Sequence, residues 1–268
     1  MQPLPLLSFH SYAEQRLNRT PILSPLLVSV IEGEKWLRVG QQEWRCPAGS
    51  WLALAGQQRV QLINRPGSRG TYQAWALGQQ EGWQRRLHEL FGAQLADRGR
   101  AAPAQVFAPA DTARTAFARL LDLLPLAERG GLPAAQAEHA WQGLMLALAE
   151  AGQAGVLFNR RPYQVRERVL ALLRGDLGRD WQAEAVAAQL AMSPATLRRK
   201  LAGEGISFRR LLQDARMEQA LALVNASRRP LGEVAAACGY QSPSRFAAAF
   251  QRQFGSAPSV LRQMSESG

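Results

Sequence analysis

The sequence predicts an α+β protein of two domains, an N-terminal antiparallel β barrel with appended helices and an all-α C-terminal domain with two helix-turn-helix units. Short apolar segments separated by Gly and Pro clusters fill about the first 80 residues, helical periodicity begins near residue 83, and one motif occurs twice near the C-terminus. The predicted boundary divides the chain into residues 1–158 and 159–268.

The predicted strands are short apolar or β-branched runs at intervals of about ten residues. Turn-forming clusters at residues 47–49 and 64–67 separate neighbouring runs. This spacing is typical of an antiparallel sandwich or barrel. The predicted strands cover residues 26–31, 35–39, 51–55, 60–63 and 71–75.

The predicted helices of the N-terminal half follow these strands. They cover residues 83–91, 111–124 and 133–151, with a Pro/Ala linker at 101–109. In the last of them Trp141, Leu144 and Leu148 form an apolar stripe at three- and four-residue spacing. The stripe packs either on the body of its own chain or on the same helix of a second subunit, and the second alternative predicts a homodimer.

Positive charge is concentrated in the C-terminal part of the chain. The net charge is +11, and residues 160–268 carry 17 of the 32 Lys and Arg residues but 9 of the 21 Asp and Glu residues. This asymmetry fits a polyanionic partner, either a nucleic acid or a membrane surface, although a basic surface that serves only solubility has the same composition.

Several protein classes are excluded by what the sequence lacks. No apolar run approaches the roughly 20 residues of a membrane-spanning helix, and the N-terminus does not resemble a secretory signal. Cys46 and Cys238 are the only cysteines, which indicates a reducing compartment without a disulfide framework. We therefore expect a cytoplasmic protein with no membrane partner.

The first copy of the repeated motif predicts a short, capped, basic helix. Ser193 is a good N-cap residue, and Pro194 follows at the first helical position, where its missing N–H is not needed. Leu197 and Leu201 lie four residues apart, so they hold one face of this helix against the domain. Preceded by a short amphipathic helix, the segment has the pattern of a helix-turn-helix.

The second copy repeats these features in the same register. Gly239 takes the turn position, Ser242 and Pro243 repeat the cap, and Phe246 and Phe250 replace the two anchoring leucines. The two capping serines are 49 residues apart. One copy is a weak signal, whereas two matching copies in the basic part of the chain strongly indicate a DNA-binding domain.

Over residues 164–262 the sequence resembles the AraC/XylS family of bacterial regulators. At the closing signature of the family Leu261 replaces the usual aromatic residue, and Ala191 replaces the glycine often found at the first turn. The resemblance implies two helix-turn-helix units joined by a long helix near residues 208–225, which enter successive major grooves of double-stranded DNA. The resemblance rests on residues 193–201, 235–250 and 254–262.

The resemblance also implies which side chains face DNA. Arginine suits base recognition, because its planar fork can donate two hydrogen bonds to guanine. Other basic residues on these helices contact phosphate or solvent. The implied DNA-facing residues are Ala195, Arg198 and Arg199 on the first helix and Pro243, Ser244, Arg245 and Ala248 on the second. The implied phosphate-contacting or solvated residues are Lys200, Arg209, Arg210 and Arg252.

The N-terminal half resembles the cupin-like sensor and dimerisation domain of the same family. Such a domain binds a small organic effector, contacts a regulatory protein, or only mediates association. Trp36, Trp51 and Trp75 either line an effector pocket or form ordinary core. An activator of this family also contacts RNA polymerase, and the expected location is the bacterial nucleoid.

Two other functional classes compete with a sequence-specific regulator. A metal-dependent cupin enzyme requires a histidine cluster, but His10, His88 and His139 are far apart in the chain, so we expect no metal, no cofactor and no catalytic site. A non-specific architectural nucleic-acid-binding protein is the other alternative. Selectivity for one site over random DNA distinguishes it from a regulator.

Overall fold

Two antiparallel sheets form the N-terminal half of the computed structural model, which describes residues 6–127, 129–159 and 164–266. Their strands are β1 (Leu6–Ser11), β2 (Gln15–Ile22), β3 (Leu26–Glu32), β4 (Glu34–Val39), β5 (Gln42–Pro47), β6 (Trp51–Leu54), β7 (Gln58–Arg65), β8 (Tyr72–Gly78) and β9 (Ala104–Phe107). One sheet has the order β1-β8-β3-β6-β9, and the other has the order β2-β7-β4-β5.

All five predicted strands are present, and the structure adds four that the sequence analysis missed. β9 lies inside the segment predicted as a linker, so that prediction is wrong: Gln105 and Val106 pair with Ala53 and Leu52 of β6. β2 was missed because most of its residues are polar, and its apolar residues do not alternate regularly. His10 lies on β1, an edge strand of the five-stranded sheet that the sequence analysis did not predict.

The two sheets enclose an apolar interior. Val30, Leu37 and Leu52 are at most 1% exposed within it. Along β4 the side chains of Lys35 and Leu37 are buried, whereas Trp36 between them is only half-buried on the opposite face. This alternation follows from the two-residue period of a strand, and it places one ammonium group inside the barrel.

Helices cover the outer face of the five-stranded sheet. There Trp51 packs edge-on against Phe117, with ring centroids 5.1 Å apart, in a core that also includes Leu27 and Leu77. The helices are α1 (Glu81–Leu95), α2 (Asp111–Ala127) and α3 (Gly131–Glu150), followed by a 3₁₀ turn at Gly155–Leu157.

The apolar stripe of α3 faces this core. Trp141 is 1% exposed, and Leu144 and Leu148 are fully buried. The three side chains pack within their own chain, on the side of α3 that meets α1 and α2. The stripe is therefore not available as a contact surface for a second subunit.

The C-terminal helices enclose two small cores that share one helix. They are α4 (Val165–Leu173), α5 (Ala183–Gln189), α6 (Pro194–Gly203), α7 (Phe208–Ala226), α8 (Leu231–Ala237), α9 (Pro243–Phe254) and α10 (Pro258–Glu266). Leu211 and Ala215 of α7 pack in the first core, whereas Met217 and Val224 pack in the second. Within the described residues, no helix is both long enough and apolar enough to cross a membrane.

The barrel contributes one buried leucine to each of these cores. Leu23 packs in the first core and Leu17 of β2 in the second. Polar contacts flank them: Arg59 Nη2 lies 2.5 Å from Asp214 Oδ2. The backbone N–H of Tyr12 donates to the Met264 carbonyl at 2.8 Å. The two predicted domains therefore pack on each other through β1, β2 and β7.

The opposite environments of two leucines in α3 give a stability prediction. Leu144→Ala should lower the free energy of unfolding by about 2–5 kcal/mol, because it leaves a cavity in the core. Leu132, which is 80% exposed in the same helix, is the matched control. Leu132→Ala should change stability by at most about 0.5 kcal/mol. Urea unfolding followed by circular dichroism measures both, and equal losses would contradict the placement of the stripe.

Candidate nucleic-acid interface

α6 begins with the cap that the sequence predicts. Ser193 has extended backbone angles, and its Oγ accepts a hydrogen bond from the backbone N–H of Thr196 at 3.1 Å. Pro194 occupies the first turn. Leu197 and Leu201 are at most 1% exposed and hold one face of α6 against the first core.

The residues of α6 implied to face DNA are at the surface. Ala195, Arg198 and Arg199 are all exposed, and so is the neighbouring Lys200. Since the buried leucines fix the orientation of α6, these side chains lie on its solvent-facing side.

α9 repeats this arrangement with aromatic anchors. Ser242 Oγ accepts a hydrogen bond from the backbone N–H of Arg245 at 3.3 Å. Phe246 and Phe250 are at most 1% exposed, and their ring centroids are 5.7 Å apart. The solvent-facing positions of α9 include Pro243, Ser244, Arg245 and Ala248, all of which are exposed. We refer to α6 and α9 as the reading helices.

The turn before each reading helix contains a residue in the left-handed region. Gly239 has φ +73°, which glycine adopts readily. Ala191, at the equivalent turn of the first unit, has φ +54°. An alanine in this region is strained by about 1–2 kcal/mol. The departure from glycine noted in the sequence therefore has a structural cost.

Arginines concentrate between α7 and α9. An open hollow of about 530 Å³ is lined by Arg209, Arg216, Arg245 and Arg252, with no acidic residue in its wall. Arg216 is the member that the sequence analysis missed, since it lies in α7 outside both motifs. Arg210, grouped with the free cations from the sequence, instead pairs with Asp214 at 3.2 Å.

The structure does not bring the three tryptophans named from the sequence into one pocket. Trp51 and Trp75 lie on the helix-covered face of the five-stranded sheet. Trp36 lies on the outer face of the other sheet, between the guanidinium groups of Arg45 and Arg65 at 3.9 and 4.6 Å from its ring. They are separated because Trp36 belongs to the four-stranded sheet, whereas Trp51 and Trp75 belong to the five-stranded sheet. All three side chains point away from the interior between the two sheets.

Neither cysteine resembles a reactive thiol. Cys46 and Cys238 are unpaired and fully buried, and burial raises the pKa of each to about 12. A reactive cysteine needs the opposite shift. In the part of the chain that the structure describes, no three His, Cys, Asp or Glu side chains are grouped so that they could hold a metal ion.

Comparison with known proteins identifies a helix-turn-helix domain in the C-terminal part of the chain. Residues 186–264 match the helix-turn-helix domain family, which is less than half of the chain. The transcriptional regulator SirC of Salmonella typhimurium is 42% identical over 101 residues, which cover 37% of this chain and 34% of SirC. The HTH-type transcriptional regulator GadX of Escherichia coli is 33% identical over 110 residues, or 41% of this chain and 40% of GadX. The chain thus spans about a third of SirC and two fifths of GadX.

A solved structure shares the fold of nearly the whole chain. ToxT from Vibrio cholerae, in a form bound to an unsaturated fatty acid, superposes with a TM-score of 0.68. The match covers 98% of this chain and 96% of ToxT at 15% sequence identity. The two-domain architecture, β sheets followed by a helix-turn-helix domain, is therefore common to both proteins.

The two turns give opposite stability predictions. Ala191→Gly should raise the free energy of unfolding by about 0.5–1 kcal/mol, because relief of strain exceeds the added chain entropy. Gly239→Ala should lower it by more than about 1 kcal/mol. In this variant the backbone would have to keep a positive φ, which alanine disfavours, and the new methyl group would collide with the guanidinium of Arg216. Chemical unfolding of the full-length protein measures both, and a loss of stability in Ala191→Gly would contradict the strain.

Proposed function

We propose that the chain is a sequence-specific DNA-binding transcription regulator with an AraC-type C-terminal domain, on the basis that residues 186–264 match the helix-turn-helix domain family. The observation that carries the proposal is the pair of capped reading helices with exposed outer faces. Each is anchored by two buried side chains, and both lie in the basic part of the chain. A helix held in this way can enter a major groove as a rigid body.

In this proposal the two reading helices have different chemistry. Arg198 and Arg199 of α6 can donate paired hydrogen bonds to guanine, whereas α9 offers Arg245 as its single strong donor among the implied contacts. Arg209 and Arg252 border the hollow between α7 and α9 and contact phosphate. We therefore expect the base pairs that face α6 to be recognised mainly by hydrogen bonds, and those that face α9 partly by DNA shape.

The alternative of a non-specific architectural protein is less well supported. SirC and GadX, which match the C-terminal domain, are both named as transcriptional regulators. A regulator should prefer its site over random DNA by roughly 10³-fold or more. We propose a location at the nucleoid in the cytoplasm, with RNA polymerase as a further partner if the protein is an activator.

A homodimer remains part of the proposal, through a surface other than the stripe of α3. Two linked DNA-binding domains bind paired sites more tightly than one, because the second binding event becomes intramolecular. Exposed leucines on the helical layer are candidates for such a surface. They include Leu90 and Leu126.

The barrel has a feature that suits an acidic effector. Lys35 is 7% exposed in the interior, where its ammonium donates to Asn64 Oδ1 at 2.5 Å and lies 5.3 Å from the centroid of the Tyr72 ring. Burial lowers the pKa of Lys35 to about 8. Among the described residues this buried ammonium has no carboxylate partner, which is costly, and an organic acid would supply the missing charge.

Hydrogen bonds continue from Lys35 to the DNA-binding domain. Asn64 Nδ2 donates to Gln15 Oε1 at 3.1 Å. Gln15 Nε2 lies within donating distance of Asn225 Oδ1 on α7 at 3.3 Å and of Ser265 Oγ on α10 at 3.4 Å. We propose that an organic acid at Lys35 alters DNA binding through this chain of contacts. ToxT, a solved structural neighbour, binds an unsaturated fatty acid.

The DNA-reading role of α6 is tested by substitution. Arg198→Ala and Arg199→Ala should each weaken binding to a selected site by about 1–3 kcal/mol and relax the preference at one or two base pairs. Arg69→Ala, which removes an exposed arginine from the turn between β7 and β8, is the matched control and should leave both properties unchanged. Affinities for the selected site and for random duplex are measured side by side. If the substitutions weaken binding to the selected site and to random duplex by the same factor, the two arginines contact only phosphate and do not read bases.

The effector proposal is tested with one compound and one variant. A cis-unsaturated C18 fatty acid, added below its critical micelle concentration, should change the affinity of the full-length protein for its selected site by about fivefold or more. Lys35→Met should bind the site normally without that response, and the methyl ester of the fatty acid should have no effect. An equal response in Lys35→Met would remove Lys35 from the effector site.

A further inference from the structure

The two helix-turn-helix units meet at a joint formed by three segments. The first unit contributes the loop at residues 176–180, between α4 and α5. The second contributes the C-terminal end of α8 with Gly239, and α7 contributes Arg216. Apart from α7 itself, this joint is a direct contact between the units that carry the two reading helices.

Arg216 holds the first unit through two backbone carbonyls. Its Nε donates to the Leu177 carbonyl at 3.1 Å, and its Nη2 donates to the Arg179 carbonyl at 2.9 Å. Arginine suits this role because its donors lie in one rigid plane, so two bonds fix the direction of the group. Lysine has the same charge but cannot form this planar fork.

The same guanidinium lies against the second unit. A Cβ added at Gly239 would collide with the Nε, Cζ and Nη2 atoms of Arg216. Glycine at this position therefore serves two needs, the positive φ of the turn and the close approach of Arg216. The guanidinium thus contacts the carbonyls of one unit and the backbone turn of the other.

The loop of the first unit is held firmly where it meets α8. Trp181 Nε1 donates to the Asp176 carbonyl at 2.7 Å, and the Gly178 N–H donates to Asp176 Oδ1 at 3.0 Å. A Cβ added at Gly178 would lie 3.2 Å from the Ala236 carbonyl oxygen, so the two backbones are nearly in contact. The joint therefore resists rotation of one helix-turn-helix unit relative to the other, and it prevents the two units from moving closer together.

We propose that Arg216 is a positioning residue that sets the angle and separation of the two reading helices, and thereby selects the spacing of the half-sites. The proposal rests on the proposed function. Two reading helices on one face of DNA must be about one helical turn apart. Without the joint, the distance between the reading helices would depend on α7 and the barrel. The protein would then bind half-sites at several spacings with similar affinity, because the gain in affinity from linking the two helices would not favour one spacing.

The DNA test uses the full-length protein and duplexes selected from random sequence by the wild type. The spacing between the two half-sites is then changed by one and two base pairs, and a lone half-site is included. The wild type should lose about tenfold or more in affinity when the spacing shifts. Arg216→Met should reduce that loss to about threefold or less and leave the affinity for the lone half-site within about twofold. Arg216→Lys should behave like Arg216→Met, since it keeps the charge and loses the fork.

Arg252→Met is the control for charge, because Arg252 lines the same hollow but does not form the joint. It should weaken binding at every spacing by the same factor. If Arg216→Met or Arg216→Lys does the same, Arg216 is only a cation near DNA and the proposal is wrong.

A measurement without DNA separates this proposal from the proposed function. Spin labels at Ala195→Cys and Ala248→Cys, both exposed positions, report the distance between the reading helices. The two native cysteines are fully buried. The distance distribution should be narrow with Arg216 and at least about twice as broad in Arg216→Met and Arg216→Lys. An equally narrow distribution in either folded variant overturns the positioning role, whether or not the protein selects a DNA sequence.

Discussion

The shared burial of α7 is the constraint on which the rest of the DNA-binding domain depends. Leu211 and Ala215 belong to one core, and Met217 and Val224 belong to the other. Full burial of a leucine or methionine side chain contributes about 1.5–3 kcal/mol. Each small core would lose a large part of its apolar wall without this helix. The two units are therefore not independent modules on a flexible linker, and a displacement of α7 affects both reading helices.

The barrel holds α7 from the side away from the arginine-lined hollow, with charges as well as leucines. The side chain of Asp214 is 3% exposed and is flanked by Arg59 of β7 and Arg210 of α7 itself. Glu218 accepts the Leu23 N–H at 3.1 Å and also pairs with Arg174 at 3.0 Å. Because a buried carboxylate that loses a partner is strongly destabilising, separation of the barrel from α7 has a high energetic cost. Any signal from the barrel is more easily carried by small shifts at this contact than by full separation of the domains.

Local features explain why the reading helices could be predicted so well from sequence. A serine cap, a proline at the first position and two anchors four residues apart all lie within about ten residues, and their meaning does not depend on the rest of the fold. Ser193 and Ser242 accept the predicted hydrogen bonds, and their anchors are buried as expected. The exposed faces of α6 and α9 follow directly.

Long-range features could not be predicted in the same way. The roles of Leu17 and Leu23 depend on residues more than 140 positions later in the chain, and no local pattern marks them. Trp36 and Trp51 have similar sequence surroundings, and only the pairing of their strands places them on the outer faces of different sheets. Arg216 looks like an ordinary helix cation until the carbonyls of Leu177 and Arg179 come within hydrogen-bonding distance.

The barrel leucines that pack in the helical cores also affect how the chain folds while it is being synthesised. Leu17 leaves the ribosome 200 residues before Met217, which packs in the same core. At roughly 5–20 residues per second, the delay is on the order of 10–40 s. During that interval a folded barrel exposes the side chains of Leu17 and Leu23, which have no helical partner yet. A chain that ends before α7 would keep this surface exposed, so truncated products should be substrates for chaperones and proteases.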